Sequence, residues 1–252
     1  MIGSGNLATQ LSLALKGANH EITQIYSPTI QHAQMLADRL GGILCTNDVK
    51  DICKDADAYV ISIKDDAVHD VAMELIQGMD NPLLIHTAGS VPMAVFADVT
   101  QNAGVLYPMQ TFSKARDVDF REIPCFIEAT NEYAYNVISM MARSVSEHVI
   151  DANSDQRRML HLAAVFACNM TNHCYRLAEK IVNEADLDFR LFYPLIMETA
   201  RKVGEMSPHE AQTGPMVRYD VKVMEKQQSL IRDSLTKKLY QIMAESIHKD
   251  AE

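Results

Sequence analysis

Basic residues are scarce in this sequence of 252 residues. It has 23 Lys and Arg against 33 Asp and Glu, which gives a formal net charge of −10. Proteins that bind nucleic acids need clustered positive charge to replace the counterions of the phosphate backbone. The sequence therefore gives no support to a nucleic-acid partner.

Long apolar runs are also missing, because no stretch approaches the roughly 20 residues that a membrane-spanning helix requires. The N-terminus has neither the basic region nor the apolar region of a secretory signal peptide. Cysteine is sparse and odd in number, without any Cys-x-x-Cys spacing; the positions are Cys45, Cys53, Cys125, Cys168 and Cys174. These features predict a cytoplasmic protein with reduced thiols, no structural metal and no membrane partner.

Two catalytic patterns are absent as well. No Gly-x-Ser-x-Gly elbow occurs, so a serine hydrolase has little support, and Ser90 has no evident base. No two histidines stand at helical i, i+4 spacing with a carboxylate, so we expect no catalytic metal.

A glycine turn opens the chain. Ile2 leads into Gly3-Ser4-Gly5-Asn6-Leu7-Ala8, and helical periodicity follows. Gly3 permits a sharp bend, Gly5 lets the backbone approach a pyrophosphate, and Ala8 allows close packing of helix on sheet. The alternative is an ordinary strand-to-helix turn. Only Met1 and Ile2 precede the turn, so either the first strand is very short or residues upstream are missing from this sequence.

Strands alternate with helices over the following residues, which favours a parallel, doubly wound sheet. The predicted strands are Glu21–Ser27, Ile43–Thr46, Ala58–Ile63, Pro82–Thr87, Val105–Tyr107, Cys125–Glu128 and one near His148–Ile150. The predicted helices between them are His32–Leu40, Asp48–Asp55, Ala67–Gln77 and Glu132–Val145. The fold class is thus α/β, with a mostly parallel Rossmann-like sheet in residues 1–152 and an all-α domain in residues 153–252.

Ligands of such sheets bind at the carboxyl ends of the strands. That rule gives one set of candidate cofactor-binding residues: Gly3, Ser4, Gly5, Asn6, Leu7, Ser27, Ile63, Lys64, His86, Thr87, Ala88 and Gly89. At the end of the second strand, where NAD-selective proteins usually carry an acid, this chain has Ser27. A hydroxyl in place of a carboxylate favours NADP over NAD, although Ser27 and Pro28 also suit a plain turn.

The second half is helical. Ser154 is a candidate N-cap, and a long helix is predicted from Asp155 to about Asn183 because no Gly or Pro interrupts it. At about 100° per residue, one arc of about 120° holds the polar stripe His161, Val165, Asn169, Asn172, His173 and Arg176. This stripe either faces a cleft against the first domain or forms a core network with neighbouring helices or a dimer mate.

Further helices are predicted beyond it. Asp188–Val203 should be kinked by Pro194. Ser207 opens a capping box with a proline at the first helical position, Asp220 caps another helix, and Leu235–Ile247 forms the last one.

Several stretches in combination resemble a bacterial family of NADP oxidoreductases that joins a Rossmann-like domain to a helical domain of unassigned activity. They are Ile2–Ala8, His86-Thr87-Ala88-Gly89-Ser90, Tyr107–Phe112, His161–Phe166 with Asn169 and Thr171-Asn172-His173, and Glu210–Pro215. More distantly, the layout is similar to pyrroline-5-carboxylate reductase and to deazaflavin-dependent NADP reductases. The resemblance implies NADP as cofactor and a homodimer formed through the helical domain, but no particular reaction. The short first strand departs from the family pattern.

An oxidoreductase of this kind must manage one proton while the nicotinamide handles the hydride. Histidine titrates near neutrality, so His161 and His173 are the preferred donors, with Tyr107 as a further candidate. Asn169 and Asn172 complete the predicted catalytic set, and Ser90, Tyr107, Gln110 and Thr213 are predicted to contact the substrate. The sequence thus predicts reduction of a small carbonyl or imine in a cleft between the domains. The alternatives are a non-catalytic NADP-binding or redox-sensing protein and a degenerate Rossmann domain with another ligand.

Overall fold

A computed structural model of the chain describes residues 1–116 and 118–251. Contacts divide the chain into two compact units, the first from Met1 to Cys168 and the second from Asn169 onward. The predicted domain boundary between residues 152 and 153 falls at the start of a helix in the first unit, and it remains a prediction.

The first unit is built on a mostly parallel sheet. Its strands are β1 (Gln24–Tyr26), β2 (Leu44–Thr46), β3 (Tyr59–Ile61), β4 (Leu84–His86), β5 (Ala103–Pro108), β6 (Cys125–Ala129) and β7 (Val149–Asp151). β1 pairs with β2, and the other strands follow in the order β3-β4-β5-β6-β7. Every pair is parallel except β5 with β6. Each predicted strand is present, and the α/β fold class is confirmed.

Ile2 takes the place of a central first strand. It forms parallel bridges to Tyr26 of β1 and to Ile61 of β3, so one residue joins the two groups of strands. The Ile2 N–H donates to Val60 O at 2.8 Å, and Ile2 O accepts from the Ser62 N–H at 2.7 Å. All three strands run in the same direction, but the order in which strands are added reverses at Ile2, with β1 and β2 on one side and β3 to β7 on the other. The residues that follow Ile2 are therefore the switch point where doubly wound sheets bind ligands.

Helices of the first unit cover both faces of this sheet; they are α1 (Asn6–Gly17), α2 (Ile30–Arg39), α3 (Val68–Leu75), α4 (Glu132–Val145) and α5 (Ser154–Ala164). Alternate strand residues point to opposite faces. Val60 and Ile85 accordingly pack on the side of α1 and α4, whereas Ile61 and Leu84 pack on the side of α3. The sheet is thus buried on both faces, as its continuous apolar strands predict.

The predicted helix over Asp48–Asp55 is wrong. Only Val49–Asp51 forms a single 3₁₀ turn, with Asp48 as its cap. The side chain of Gln24 explains the difference, because it donates to Asp51 O at 3.0 Å and accepts from the Cys53 N–H at 2.7 Å. These backbone groups are therefore used in tertiary hydrogen bonds rather than in a helix.

The long helical run after residue 153 differs from its prediction in two respects. Asn153, not Ser154, is the N-cap, and it forms a capping box with Gln156. The run changes to π-helical hydrogen bonding over Val165–Met170 before α6 (Thr171–Asn183) continues it. A π-helix closes i→i+5 bonds and turns less per residue than an α-helix. The predicted stripe assumed a uniform α-helical repeat, and the segment Val165–Met170 departs from that repeat.

The second unit contains only helices in its described residues, namely α6, α7 (Tyr193–Glu205), α8 (Pro208–Ala211), α9 (Val221–Ser229) and α10 (Ser234–Asp250). The predicted kink at Pro194 is wrong, because this proline lies in the first turn of α7, where it has no helical hydrogen bond to break. The capping box of Ser207 with Glu210 and the Asp220 cap are confirmed. Among the described residues, no helix is long and apolar enough to span a membrane.

Candidate active site

A cleft of about 830 Å³ lies at the carboxyl ends of the strands in the first unit. Most of the residues predicted for the cofactor and several of those predicted for the substrate line it together: Gly3, Ser4, Gly5, Asn6, Leu7, Ser27, Ile63, Lys64, Thr87, Ala88, Gly89, Ser90, Tyr107 and His161. Its volume is within the range of small-molecule sites in proteins. The residues predicted at the carboxyl ends of the strands therefore lie together in one cleft.

The two glycines of the first turn have different surroundings. Gly3 has a φ of +117°, and a Cβ there would come within 2.0 Å of Ser62 O. Gly5 precedes α1, is exposed, and would place a Cβ in open space. Gly3 is thus required by the fold, whereas Gly5 leaves room beside the start of the helix.

The N-terminus of α1 is free to bind an anion. No side chain caps it, and no acidic residue occurs in its first turn. The first N–H groups of a helix have no partner within the helix and lie at the positive end of its dipole. Together with the open space at Gly5, they form a site suited to a phosphate group.

Ser4 and Ser27 link the glycine turn to the end of β1. The Ser4 hydroxyl donates to Ser27 Oγ at 2.9 Å, and both residues are buried. Ser27 has no carboxylate neighbour at positions 26 or 28, where Tyr26 and Pro28 also line the cleft. The lining of this corner at residues 26–28 therefore offers hydroxyl groups and no carboxylate.

Tyr107 and His161, which also line the cleft, are in contact with each other. Tyr107 Oη lies 3.0 Å from His161 Nδ1, and the rings are edge-on with centroids 6.0 Å apart. Gly89 lies against both rings, since a Cβ there would be 2.7 Å from Nδ1 and 2.8 Å from Tyr107 Cζ. Burial raises the pKa of the Tyr107 phenol. The phenol therefore keeps its proton at neutral pH, and the pair can hold and move a proton.

His86 does not line the cleft, although it is predicted to contact the cofactor. Its side chain is fully buried at the end of β4, where Nδ1 accepts from the Ala88 N–H at 3.2 Å. Burial, with a smaller effect of the nearby Arg157 charge, lowers the pKa of His86 to about 3. The structure thus places a neutral histidine beneath the turn that bounds the cleft.

The remaining predicted residues do not line this cleft. Gln110 of the first unit is exposed outside it. Asn169, Asn172, His173 and Thr213 belong to the second unit, where all four are exposed. Their predicted roles remain predictions.

Two further residues at the site were not identified from the sequence. Asp65 lines the cleft and accepts a hydrogen bond from the Ser90 hydroxyl. Arg157, on α5, is fully buried beside the turn after β4 and pairs with Glu128 of β6. Glu128 carried a usable signal, because a carboxylate in an otherwise apolar strand needs a cationic partner. Nothing in the sequence indicated which arginine that partner would be.

Comparisons with known proteins agree with this geometry. Residues 1–89 match the family described as "NADP oxidoreductase coenzyme F420-dependent", and residues 123–247 match a domain of unknown function, DUF2520. A search of curated proteins found no match. The glycine turn thus lies in the first matched region, and His161 lies in the second.

Solved structures match over nearly the whole chain. A protein of Bacteroides fragilis, provisionally named an NADP oxidoreductase, is 43% identical, with a TM-score of 0.94 over 98% of this chain and 96% of its own. The pyrroline carboxylate reductase of Plasmodium falciparum, solved with NADP bound, is 13% identical, with a TM-score of 0.58 over 100% and 97% of the two chains. An imine reductase of Myxococcus stipitatus in complex with NADP+ is 13% identical, with a TM-score of 0.62 over 98% and 90%. The two distant likenesses show a shared fold.

Proposed function

The chain belongs to the NADP oxidoreductase family represented by the Bacteroides protein, and on that premise we propose that it reduces a small polar imine or carbonyl compound with NADPH. The observation that carries this proposal is the position of the Tyr107–His161 pair, which lines the same cleft as the glycine turn. A phosphate-binding turn and a proton-bearing pair are the two parts that such a reduction needs.

The glycine turn and the start of α1 would hold the pyrophosphate of the dinucleotide. The uncapped helix end and the open space at Gly5 fit that group. When bound, the reduced nicotinamide supplies a hydride, and the product then needs one proton to balance the charge. Ser27, in place of an acid at the end of β1, supports NADP over NAD because it would not repel a 2′-phosphate.

His161 would deliver that proton. Tyr107 Oη lies 3.0 Å from His161 Nδ1, and when the hydroxyl donates to that nitrogen the ring proton of a neutral imidazole resides on Nε2. In the imidazolium form both ring nitrogens carry a proton. Nε2–H is therefore available in either state, as a hydrogen-bond donor or as an acid.

An imine is the preferred substrate class. Asp65 and Ser90 add a carboxylate and a hydroxyl to the cleft. A carboxylate would stabilise the iminium that forms when His161 gives its proton to the imine nitrogen, and hydride addition to this iminium then yields the neutral amine with no further proton. The imine and pyrroline carboxylate reductases that share the fold support the same choice by analogy alone.

We also propose that two copies associate through the helical domain. Ala244 is the one buried residue among the described residues of the second unit. Large apolar side chains are exposed along its helices, including Ile181, Leu191, Leu195, Met197 and Ile242. A unit with so little core of its own is stabilised by covering these side chains. Sedimentation over a range of protein concentrations should show a dimer; a monomer at all concentrations would contradict this.

The test of the function begins with fluorescence titrations of the purified protein with NADPH and NADH. We expect tight binding of NADPH and weaker binding of NADH. Oxidation of bound NADPH is then followed with a panel of cyclic imines and matched ketones, using wild type and His161→Ala. Reduction by wild type alone supports the proposal. Tight NADPH binding without turnover of any compound would instead favour a nucleotide-binding or sensing protein.

A further inference from the structure

Arg157 is a buried cation that the proposed reaction does not use. Its side chain is about 1% exposed, and it lies on α5 one helical turn before His161. A buried guanidinium is unfavourable unless its donors are satisfied and its charge is paired. Its partners therefore show what the arginine holds in place.

The guanidinium binds both ends of one short turn. Nη2 donates to Val91 O at 2.6 Å, and Nε donates to Ala88 O at 3.3 Å. Between these two carbonyls lie Gly89 and Ser90. The planar fork of an arginine fixes the spacing of two acceptors, which an ammonium group cannot do.

The charge is balanced on the sheet. Nη1 donates to Glu128 Oε2 at 2.5 Å, and the same carboxylate oxygen accepts from Ser154 Oγ at 2.8 Å. Glu128 belongs to β6, so the arginine connects the helix that carries His161, the turn after β4, and the sheet.

The turn in question is in contact with the reactive pair. Gly89 is buried, and it has no room for a Cβ against His161 Nδ1 and Tyr107 Cζ. A displacement of the turn by less than one ångström would therefore press on the imidazole or open a gap behind it. Close packing transmits such a shift directly.

We infer that Arg157 is a positioning residue. By donating hydrogen bonds to the carbonyl oxygens of Ala88 and Val91, it holds the turn against the imidazole and so maintains the hydrogen bond between Tyr107 and His161. An effect of Arg157 on catalysis rests on the proposed function. The hydrogen bond itself can be observed without any substrate.

The first experiment compares Arg157→Lys with Arg158→Lys. Arg158 is the next residue of the same helix, is exposed and pairs with Asp155, so it is a matched control. Nitrogen-15 NMR of protein whose histidine side chains carry nitrogen-15 reports which ring nitrogen of each imidazole bears the proton. The spectra are recorded well below the melting temperature of each variant. His161 is assigned by the signals missing in His161→Gln.

In wild type and Arg158→Lys we expect His161 to show a proton fixed on Nε2. In Arg157→Lys the positive charge remains, but the carbonyl groups of Ala88 and Val91 lose their common donor. We therefore expect the His161 signals to be an average over forms that exchange the ring proton between Nδ1 and Nε2. Wild-type His161 signals in a folded but less stable Arg157→Lys protein would overturn the inference, because a purely stabilising role lowers the melting temperature without moving these signals.

Glu128→Gln keeps the experiment decisive if Arg157→Lys does not fold. It retains the shape of the side chain but removes the negative charge that holds Nη1, and we expect a smaller change of the His161 signals in the same direction. Unchanged signals in this variant as well would count against positioning.

Kinetics separate this inference from the proposed function. If the wild type reduces an imine, Arg157→Lys should lower kcat about 100-fold, the scale of a misplaced reacting group, and should change the dissociation constant of NADPH by a much smaller factor. If the wild type reduces nothing, the proposed function fails while the NMR comparison still decides whether Arg157 positions His161.

Discussion

The Tyr107 hydroxyl and the His161 imidazole lie 3.0 Å apart although 54 residues separate them in the chain. Tyr107 lies near the end of β5, and His161 lies on α5. Both residues line the cleft that the glycine turn also lines. The pair therefore depends on the tertiary structure of the first unit.

Replacing Tyr107 by Phe should slow reduction without weakening nucleotide binding. The substitution removes only the hydroxyl and keeps the ring, which packs 6.2 Å from Phe126 between centroids. His161 Nδ1 then loses its hydrogen-bond partner. We expect kcat to fall by about 10²-fold, the lower end of the range for general acid catalysis, with an unchanged Kd for NADPH in fluorescence titration. His69→Gln, a change of a partly exposed histidine that pairs with Asp98 outside the cleft, is the control. Wild-type turnover by Tyr107→Phe would exclude this role.

A methyl group at position 89 should damage the site and the fold together. In Gly89→Ala the new Cβ would be 2.7 Å from His161 Nδ1, so the imidazole must move. Overpacking of this kind costs about 1–3 kcal/mol. Chemical unfolding should show that loss, and kcat should fall as well.

The same clash predicts coupling between Gly89 and His161. His161→Ala removes the contact of the new methyl group with the imidazole, although its contact with Tyr107 Cζ remains. The double variant Gly89→Ala/His161→Ala should therefore be more stable than the sum of the single changes implies. A double-mutant cycle measures the difference. Strict additivity of the two unfolding free energies would show that the two residues are not in contact.

The two glycines of the first turn should respond differently to alanine. Gly3→Ala forces a positive φ on a residue with a Cβ and meets Ser62 O, so we expect a loss of at least about 2 kcal/mol of stability. Gly5→Ala meets no atom of the protein and should change stability by less than about 0.5 kcal/mol. NADPH binding by Gly5→Ala should nevertheless weaken, because the methyl group occupies the space of the phosphate. Unaltered affinity in this variant would place the phosphate elsewhere.

The sequence predicted the architecture because the pattern is local. Apolar strands and polar helix caps gave every strand and the bounds of α4 (Glu132–Val145). The failures have non-local causes. Gln24 prevents a helix after Asp48 because its side chain hydrogen-bonds to backbone groups there. The Ser154 hydroxyl does not cap the helix but donates to Glu128. A single residue, Ile2, serves as the central strand because both neighbouring strands supply its partners.

The site was predictable as far as strand ends define it. Gly3 directly follows the strand position of Ile2, Ser27 directly follows β1, and Ile63 lies two residues after β3, so topology alone brings them together. The placement of His86 was not predictable in this way, because a strand's last residue can face the core or the rim. Nor was the π-helical segment Val165–Met170, which departs from a uniform α-helical repeat.

His86 should make the protein sensitive to acid. Its pKa is lowered to about 3 in the folded protein from an ordinary value of 6.5, because burial disfavours the charged ring. Below pH 6.5 the unfolded chain therefore binds a proton that the folded protein does not, and stability falls as pH falls toward 3. The difference corresponds to about 2 kcal/mol between pH 7 and pH 5 and to roughly 5 kcal/mol in full.

The matched variant for this effect is His86→Asn, whose side-chain oxygen can still accept from the Ala88 N–H that His86 Nδ1 binds at 3.2 Å. Urea unfolding of both proteins between pH 7 and pH 4 gives the free energy of unfolding at each pH. Carboxylates contribute equally to the two curves, so the difference between them isolates His86. We expect the wild type to lose stability more steeply on acidification. Parallel curves would mean that His86 accepts a proton in the folded protein as readily as in the unfolded chain, and thus that it is not enclosed beneath the turn that supports the cleft.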